Sequence, residues 1–299
     1  MGAVYKADQP SMKRFVAIKI LHTRYLSRPD LISRFRREAR AMSRLTHPNT
    51  ARVYLHGQLD DGAAYMVMEY LEGKNLARLV QRDGPLDPVR AIQVMIKVCG
   101  ALDEAHREGM VHRDLKPENI FLSVDPEKGD IPKVLDFGLA KVTEQELNPG
   151  SIFLTREGAI FGTPEFMSPE QAQGRVLDAR SDIYSLSMIL YEMLTGELPF
   201  YAGQATEYMR KHIHEAPIPL SKRAPERSYP PGLEMVLLRA MEKDPDERFQ
   251  TAKEFSQALH ACIDPRGQSS PPRKNSGRVH PREQSHLQGR CQPRRSPVS

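Results

Sequence analysis

The chain has 299 residues, 39% hydrophobic and 27% charged, an ordinary globular balance with length for a sizeable core. Its apolar runs are short and broken by Glu, Lys or Arg, so no helical membrane span is expected, and its first ten residues lack a signal-peptide pattern. The net charge of +5 is local: residues 264–299 hold eight Lys/Arg against two Asp/Glu, which leaves the rest at −1. That tail has no Tyr, Phe or Trp on which bases could stack, so nucleic acid is not an expected partner. Cys99, Cys262 and Cys291 are widely spaced without a metal-ligand pattern, which fits a reducing cytoplasm.

In chain order, Ala3–Ala7 and Phe15–Leu21 are strand-like, with a polar turn between them. Pro29–Leu45 is predicted helical, because Leu31, Phe35, Ala39 and Met42 form one apolar stripe while Arg36, Arg37 and Arg40 lie off it. Strands are predicted over Ala51–Leu55 and Ala64–Glu69. Beyond Gly73 the pattern turns helical, at Asp87–Glu108, Arg180–Leu194, Leu233–Lys243 and Thr251–Cys262. The section from Val111 to Gly174 has little regular pattern, and so long an irregular stretch in a compact domain is usually functional. From Pro265 the chain is too poor in large apolar residues to offset its ordering entropy and is expected to be disordered.

Two constellations carry chemistry. His112-Arg113-Asp114-Leu115-Lys116-Pro117-Glu118-Asn119 is followed, 22 residues after Asp114, by Asp136-Phe137-Gly138. Upstream, Val16-Ala17-Ile18-Lys19 is an apolar strand ending in a lysine, and Glu38 lies on the apolar side of the next helix, where a charge needs a partner. In order and spacing these motifs resemble those of eukaryotic-type protein kinases, in the bacterial serine/threonine branch. Further matches extend the resemblance to Cys262: Met68-Glu69-Tyr70-Leu71, Gly162-Thr163-Pro164, Ser168-Pro169-Glu170, Ser181-Asp182-Ile183 and Asp244-Pro245-Asp246-Glu247-Arg248.

The resemblance implies an α+β, bilobal fold: residues 1–70 a small antiparallel-sheet lobe with one helix, 71–263 a larger helical lobe, and 264–299 a basic tail. It implies ATP and Mg²⁺ as cofactors and protein serine or threonine hydroxyls as acceptors. Asp114 takes the role of base, Lys116 of a cation at the γ-phosphate, Lys19 paired with Glu38 of the α- and β-phosphate holder, and Asn119 with Asp136 of metal ligands. Val4 and Ala17 above and Phe121 below would sandwich adenine, at positions expected to be apolar core. Met68 would be the gatekeeper, and backbone groups of Glu69 and Leu71 would pair with the base. Glu170 should bridge to a buried Arg248, and Asp182 should anchor the loop around Asp114. Thr163 should hydrogen-bond near Asp114, while phosphate on Thr155, with Ser151, would order the loop beside Arg113, implying self-association for phosphorylation in trans.

One departure stands out. Of the glycine-rich Gly-x-Gly-x-x-Gly-x-Val pattern only Gly2-Ala3-Val4 is present, so two readings stand. Met1 is an internal methionine of a longer, active kinase, or the chain is a kinase-fold binding module with little catalysis.

Overall fold

The computed structural model describes residues 2–22, 29–137 and 163–264. The predicted tail lies outside these. β1 (Gly2–Gln9) and β2 (Arg14–Leu21) form an antiparallel pair across a 3₁₀ turn at Pro10–Met12, closed by Lys13 at φ 48°. α1 (Pro29–Met42) buries Phe35, Ala39 and Met42, as the stripe predicts. β3 (Val53–Gln58) and β4 (Ala64–Glu69) complete a four-stranded sheet in the order β1-β2-β4-β3. The sequence placed the third strand at Ala51–Leu55, whereas residues 49–51 bond to the large lobe instead: Ala51 N donates to Val134 O and Val134 N to Asn49 O. That tertiary pairing delays the strand by two residues.

Register decides what this sheet presents. Val4 faces Lys19, Lys6 faces Ala17, and Ala17 and Lys19 in turn face Met68 and Met66. Directly opposed residues share a face and alternate residues repeat it, so Val4, Ala17, Lys19 and Met68 all lie on one side.

The larger part is helical, with a second sheet at its junction with the first. After β5 (Lys74–Asn75), α2 (Leu76–Asp83) starts at an Asn75 cap that accepts from Arg78 N. α3 (Pro88–Arg107) starts at Asp87, which caps Arg90 N, and has proline at its first turn, both ordinary start signals. The section that looked irregular contains a hairpin, β6 (Ile120–Asp125) and β7 (Gly129–Val134). Its Asp125 side chain accepts from Glu127 N and Lys128 N at the turn. Alternation is weak there, and proline, as at Pro132, is unusual inside a strand, so local pattern does not mark the hairpin.

α4 (Pro169–Ala172) carries a capping box between Ser168 and Gln171. α5 (Ala179–Thr195) is buried over nearly its whole length, with Ile183 to Leu190 almost wholly inaccessible, and forms the centre of the helical core. Around it pack α6 (Ala205–His214), α7 (Leu220–Arg223), α8 (Leu233–Ala240) and α9 (Ala252–Ile263). No described helix is long and apolar enough to cross a membrane.

Candidate active site

The loop from His112 to Asn119 is held by bonds made to its backbone. Asp182, in the first turn of α5, accepts from His112 N at 2.8 Å and Arg113 N at 3.0 Å, the anchoring expected from sequence. Gln171 Nε2 donates to Arg113 O at 2.5 Å. Arg113 sits at φ 66°, a left-handed conformation that a residue with a side chain adopts only when its surroundings impose it. His112 bonds Leu135 O through Nε2 at 2.8 Å and accepts from Asp114 N through Nδ1 at 3.3 Å. That leaves one tautomer, with the proton on Nε2.

The hairpin brings the second half of the motif back. Ile120 pairs with Val134, and Leu135 N donates to Asn119 O at 2.8 Å, so Asn119 and Asp136 flank the open end of β6 and β7. Asn119 Nδ2 donates to Asp114 O at 2.7 Å, which leaves its carbonyl oxygen as the remaining polar atom. Asp136, at φ 49°, pairs through Oδ1 with Lys19 Nζ at 2.7 Å. Lys116 Nζ lies 3.5 Å from Asp114 Oδ2 and 3.3 Å from Thr163 Oγ1, so Thr163 reaches the expected neighbourhood. The structure thus gathers Lys19, Asp114, Lys116, Asn119 and Asp136, from both sheets and the intervening loop.

Other expectations fare differently. Lys19 was assigned Glu38 as its partner; its described partner is Asp136, and the Glu38 side chain lies outside the described residues, as do Gly138, Ser151, Thr155 and Gly162. Val4 was expected in an apolar core and is 62% exposed, because the face it shares with Lys19 opens outward at the edge strand β1. Ala17, Leu71 and Phe121 are half-buried, and Met68 is buried. The Glu69 carboxylate is taken by Lys133 Nζ on β7 at 2.8 Å and by Arg52 N at 3.2 Å, so only its backbone faces the role assigned to it. Lys133 lies in none of the motifs, and Gln171 follows directly on Ser168-Pro169-Glu170. The Ser168-x-x-Gln171 capping pattern is a local signal for Gln171; Lys133 has none.

The predicted bridge beneath the site is present in full. Arg248 is wholly buried and grips Glu170 with two parallel bonds, Nη1 to Oε1 at 2.9 Å and Nη2 to Oε2 at 2.8 Å. Burial alone would raise the Glu170 carboxyl, but the Arg248 bonds and charge, with Ser181 Oγ, outweigh it and hold the group below its ordinary range.

Residues 1–260 match the family model described as "Protein kinase domain". The chain belongs to the protein kinase family, in its bacterial serine/threonine branch. Among kinases named as such, it is 42% identical over 277 residues to serine/threonine-protein kinase pkn3 of Myxococcus xanthus, covering 92% of this chain and 50% of that one. It is 40% identical over 258 residues to serine/threonine-protein kinase PknB of Mycolicibacterium smegmatis, covering 85% of this chain and 40% of that kinase. The chain therefore spans half or less of the length of these relatives. Among solved kinase structures, the PknI kinase domain of Mycobacterium tuberculosis superposes with a TM-score of 0.65 at 26% identity, covering 88% of this chain and 91% of that domain.

Proposed function

We propose that this chain transfers the γ-phosphate of ATP to serine or threonine hydroxyls of proteins, with Asp114 as the group that orients and accepts the hydroxyl proton. The observation that carries this reading is Asp114 beside Lys116 at 3.5 Å, in a loop whose Asn119 is bonded back to Asp114 O. A carboxylate next to an ammonium can hold a hydroxyl while the cation meets the phosphate it attacks. Lys116, and not a residue suited to tyrosine, supports the serine/threonine assignment.

ATP would lie along the sheet face bearing Val4, Ala17, Lys19 and Met68, with adenine against the backbone of Glu69 and Leu71 and above Phe121. Lys19, now on Asp136, would hold the α- and β-phosphates, and Glu38 on α1 would share it. The Asn119 carbonyl and the Asp136 carboxylate are hard oxygen donors, a set that Mg²⁺ accepts together with phosphate oxygens. Bound there, Mg²⁺ supplies positive charge against the phosphates. Thr155 and Ser151 are the proposed sites of phosphorylation by a second copy, with Arg113 to receive the phosphate; the cysteine usage supports a cytoplasmic setting.

The test is incubation with radiolabelled ATP and Mg²⁺ beside an Asp114→Asn variant, followed by mapping of the label. Incorporation on Thr155, Ser151 or an added protein, lowered about 10²–10⁴-fold in the variant, supports the reading. Equal labelling of both proteins would refute the role of Asp114, and no labelling of either would favour a kinase fold that only binds.

A further inference from the structure

The 3₁₀ turn Pro164–Phe166 follows directly on Thr163, which reaches Lys116 beside Asp114, so it borders the place proposed for the acceptor hydroxyl. Its own bonds are long: Phe166 N donates to Thr163 O at 3.3 Å and Met167 N to Pro164 O at 3.4 Å. Its shape therefore depends on what surrounds it. Lys116 holds Thr163 at one end, and at the other Ser185 Oγ of α5 donates to Phe166 O at 2.7 Å. Helix α6 packs against the turn, with Met209 among Met167 and Ala172 just beyond it, and with His212 wholly buried.

Three aromatic rings enclose His212: Phe200 and Tyr184 edge-on, with centroids at 5.2 and 5.6 Å, and Tyr208 stacked at 6.4 Å. Burial, and then the charge of Lys243, push the imidazole from an ordinary 6.5 down to about 3, so it is neutral and carries one proton. Its Nδ1 lies 2.9 Å from the Tyr184 hydroxyl. The backbone carbonyls of Pro164 and Glu165 also act on the ring; they can only accept, and they favour a proton on it. With Nδ1 facing Tyr184, the nitrogen left for them is Nε2. The tautomer that serves both sides has the proton on Nε2 and Tyr184 donating to Nδ1. Yet Nε2 closes no hydrogen bond among the described residues, and neither does the buried Glu165 Oε2 of the turn itself. The turn and its support both hold polar atoms still to be paired. A buried donor left open costs desolvation, and an apolar side chain would fill an aromatic enclosure more cheaply; the donor is what distinguishes histidine here.

We propose that His212 is a positioning residue for the acceptor substrate: from α6 it supports the Pro164–Phe166 turn through a donor aligned by Tyr184, and that bond closes when the acceptor segment seats on the turn. The inference rests on the reading of this chain as a kinase of protein hydroxyls. It deepens that reading by separating a residue that serves the acceptor from those that meet ATP.

The test compares the wild type with His212→Leu, which removes the donor, His212→Gln, whose amide offers both an acceptor and a donor, and Tyr184→Phe, which removes the aligning hydroxyl. Two readouts are used: steady-state phosphotransfer from magnesium ATP to dephosphorylated casein, and hydrogen exchange of the Phe166 and Met167 amides with and without casein. Loss of the donor should raise KM for casein about tenfold, with kcat and KM for ATP within about twofold. Casein should slow exchange of both amides about tenfold in the wild type and less than about threefold in the leucine variant. The glutamine variant should return KM for casein to within about threefold of wild type. Tyr184→Phe should raise KM for casein, and adding it to His212→Leu should cost less than about twofold more, since the hydroxyl acts through the ring. A leucine variant with the wild-type KM for casein, an equal rise in KM for ATP, or a glutamine variant as defective as the leucine one would overturn the proposal. Should His212→Leu not fold, His212→Met, unbranched and without a donor, takes its place. If the wild type transfers no phosphate, the kinase reading fails, while protection of the two amides by casein, present in the wild type and lost in the leucine variant or not, still decides the role of His212.

Discussion

Glu192, in the last turn of α5, lines a cavity of about 520 Å³ with Phe200, Tyr201 and Tyr208. Burial first, and then the nearby Glu118 and Glu165 carboxylates, push its carboxyl from an ordinary 4.5 up to about 7, and its Oε2 has no hydrogen-bond partner among the described residues. A carboxyl raised in the folded state binds its proton more tightly than the unfolded chain does. Its contribution to stability is complete below 4.5 and is lost as pH rises through about 7. Glu192→Gln, neutral at every pH, should therefore flatten the fall in stability between pH 5 and pH 8. It should gain about 2 kcal/mol over the wild type at the upper end, after allowance for partial exposure. Urea denaturation at both pH values checks this, and an unchanged pH profile would exclude Glu192 as its source. Nothing in the sequence marked Glu192: its burial and its two acidic neighbours are brought together by tertiary contacts.

Helix α3 carries a glycine in its interior, where propensity disfavours it by about 1 kcal/mol relative to alanine. The reason lies on the neighbouring segment. A Cβ on Gly100 would stand 2.8 Å from His47 Nε2. His47 cannot step aside freely, since its Nδ1 accepts from Asn49 N at 3.2 Å and its own N–H donates to Glu104 Oε2 at 2.9 Å. Thr46 adds its amide and hydroxyl to the same Glu104 carboxylate. The segment after α1 is thereby seated on α3, one of the joints between the two lobes. Gly100→Ala should lower stability by about 1–3 kcal/mol despite its better helix propensity, and should recover much of that loss when combined with His47→Ala. A single variant as stable as the wild type would show that the ring yields. The α1 stripe and the capped start of α3 were readable because they depend on neighbours three or four residues away. Gly100, by contrast, answers to a residue more than fifty positions distant.

At the scale of the whole molecule, Arg248 ties together three separate parts of the helical lobe. Its five N–H groups are all used: two bonds to Glu170, and one each to the carbonyls of Glu242, Arg180 and Lys243. Such a bridge is weak evidence of net stability against an apolar replacement, but removing one partner strands a buried charge. Arg248→Ala should cost about 3–5 kcal/mol, and Arg248→Lys nearly as much, because an ammonium cannot supply the planar fork. Thermal unfolding of both variants tests this, and a lysine variant with wild-type stability would show that charge alone suffices.

Motifs and local patterning were enough for the family and the α+β bilobal plan, and they named the residues proposed for phosphoryl transfer. Those rest on short motifs, such as His112 to Asn119, and on local periodicities whose physics is complete within a few residues. Tertiary structure alone decided which face of the sheet Val4 and Lys19 share, that Lys19 meets Asp136, and that Glu69 is bound by Lys133. Each of these is a contact between distant parts of the chain, set by strand register, helix packing and the low dielectric of the interior. None of these leaves a pattern in the spacing of neighbouring residues.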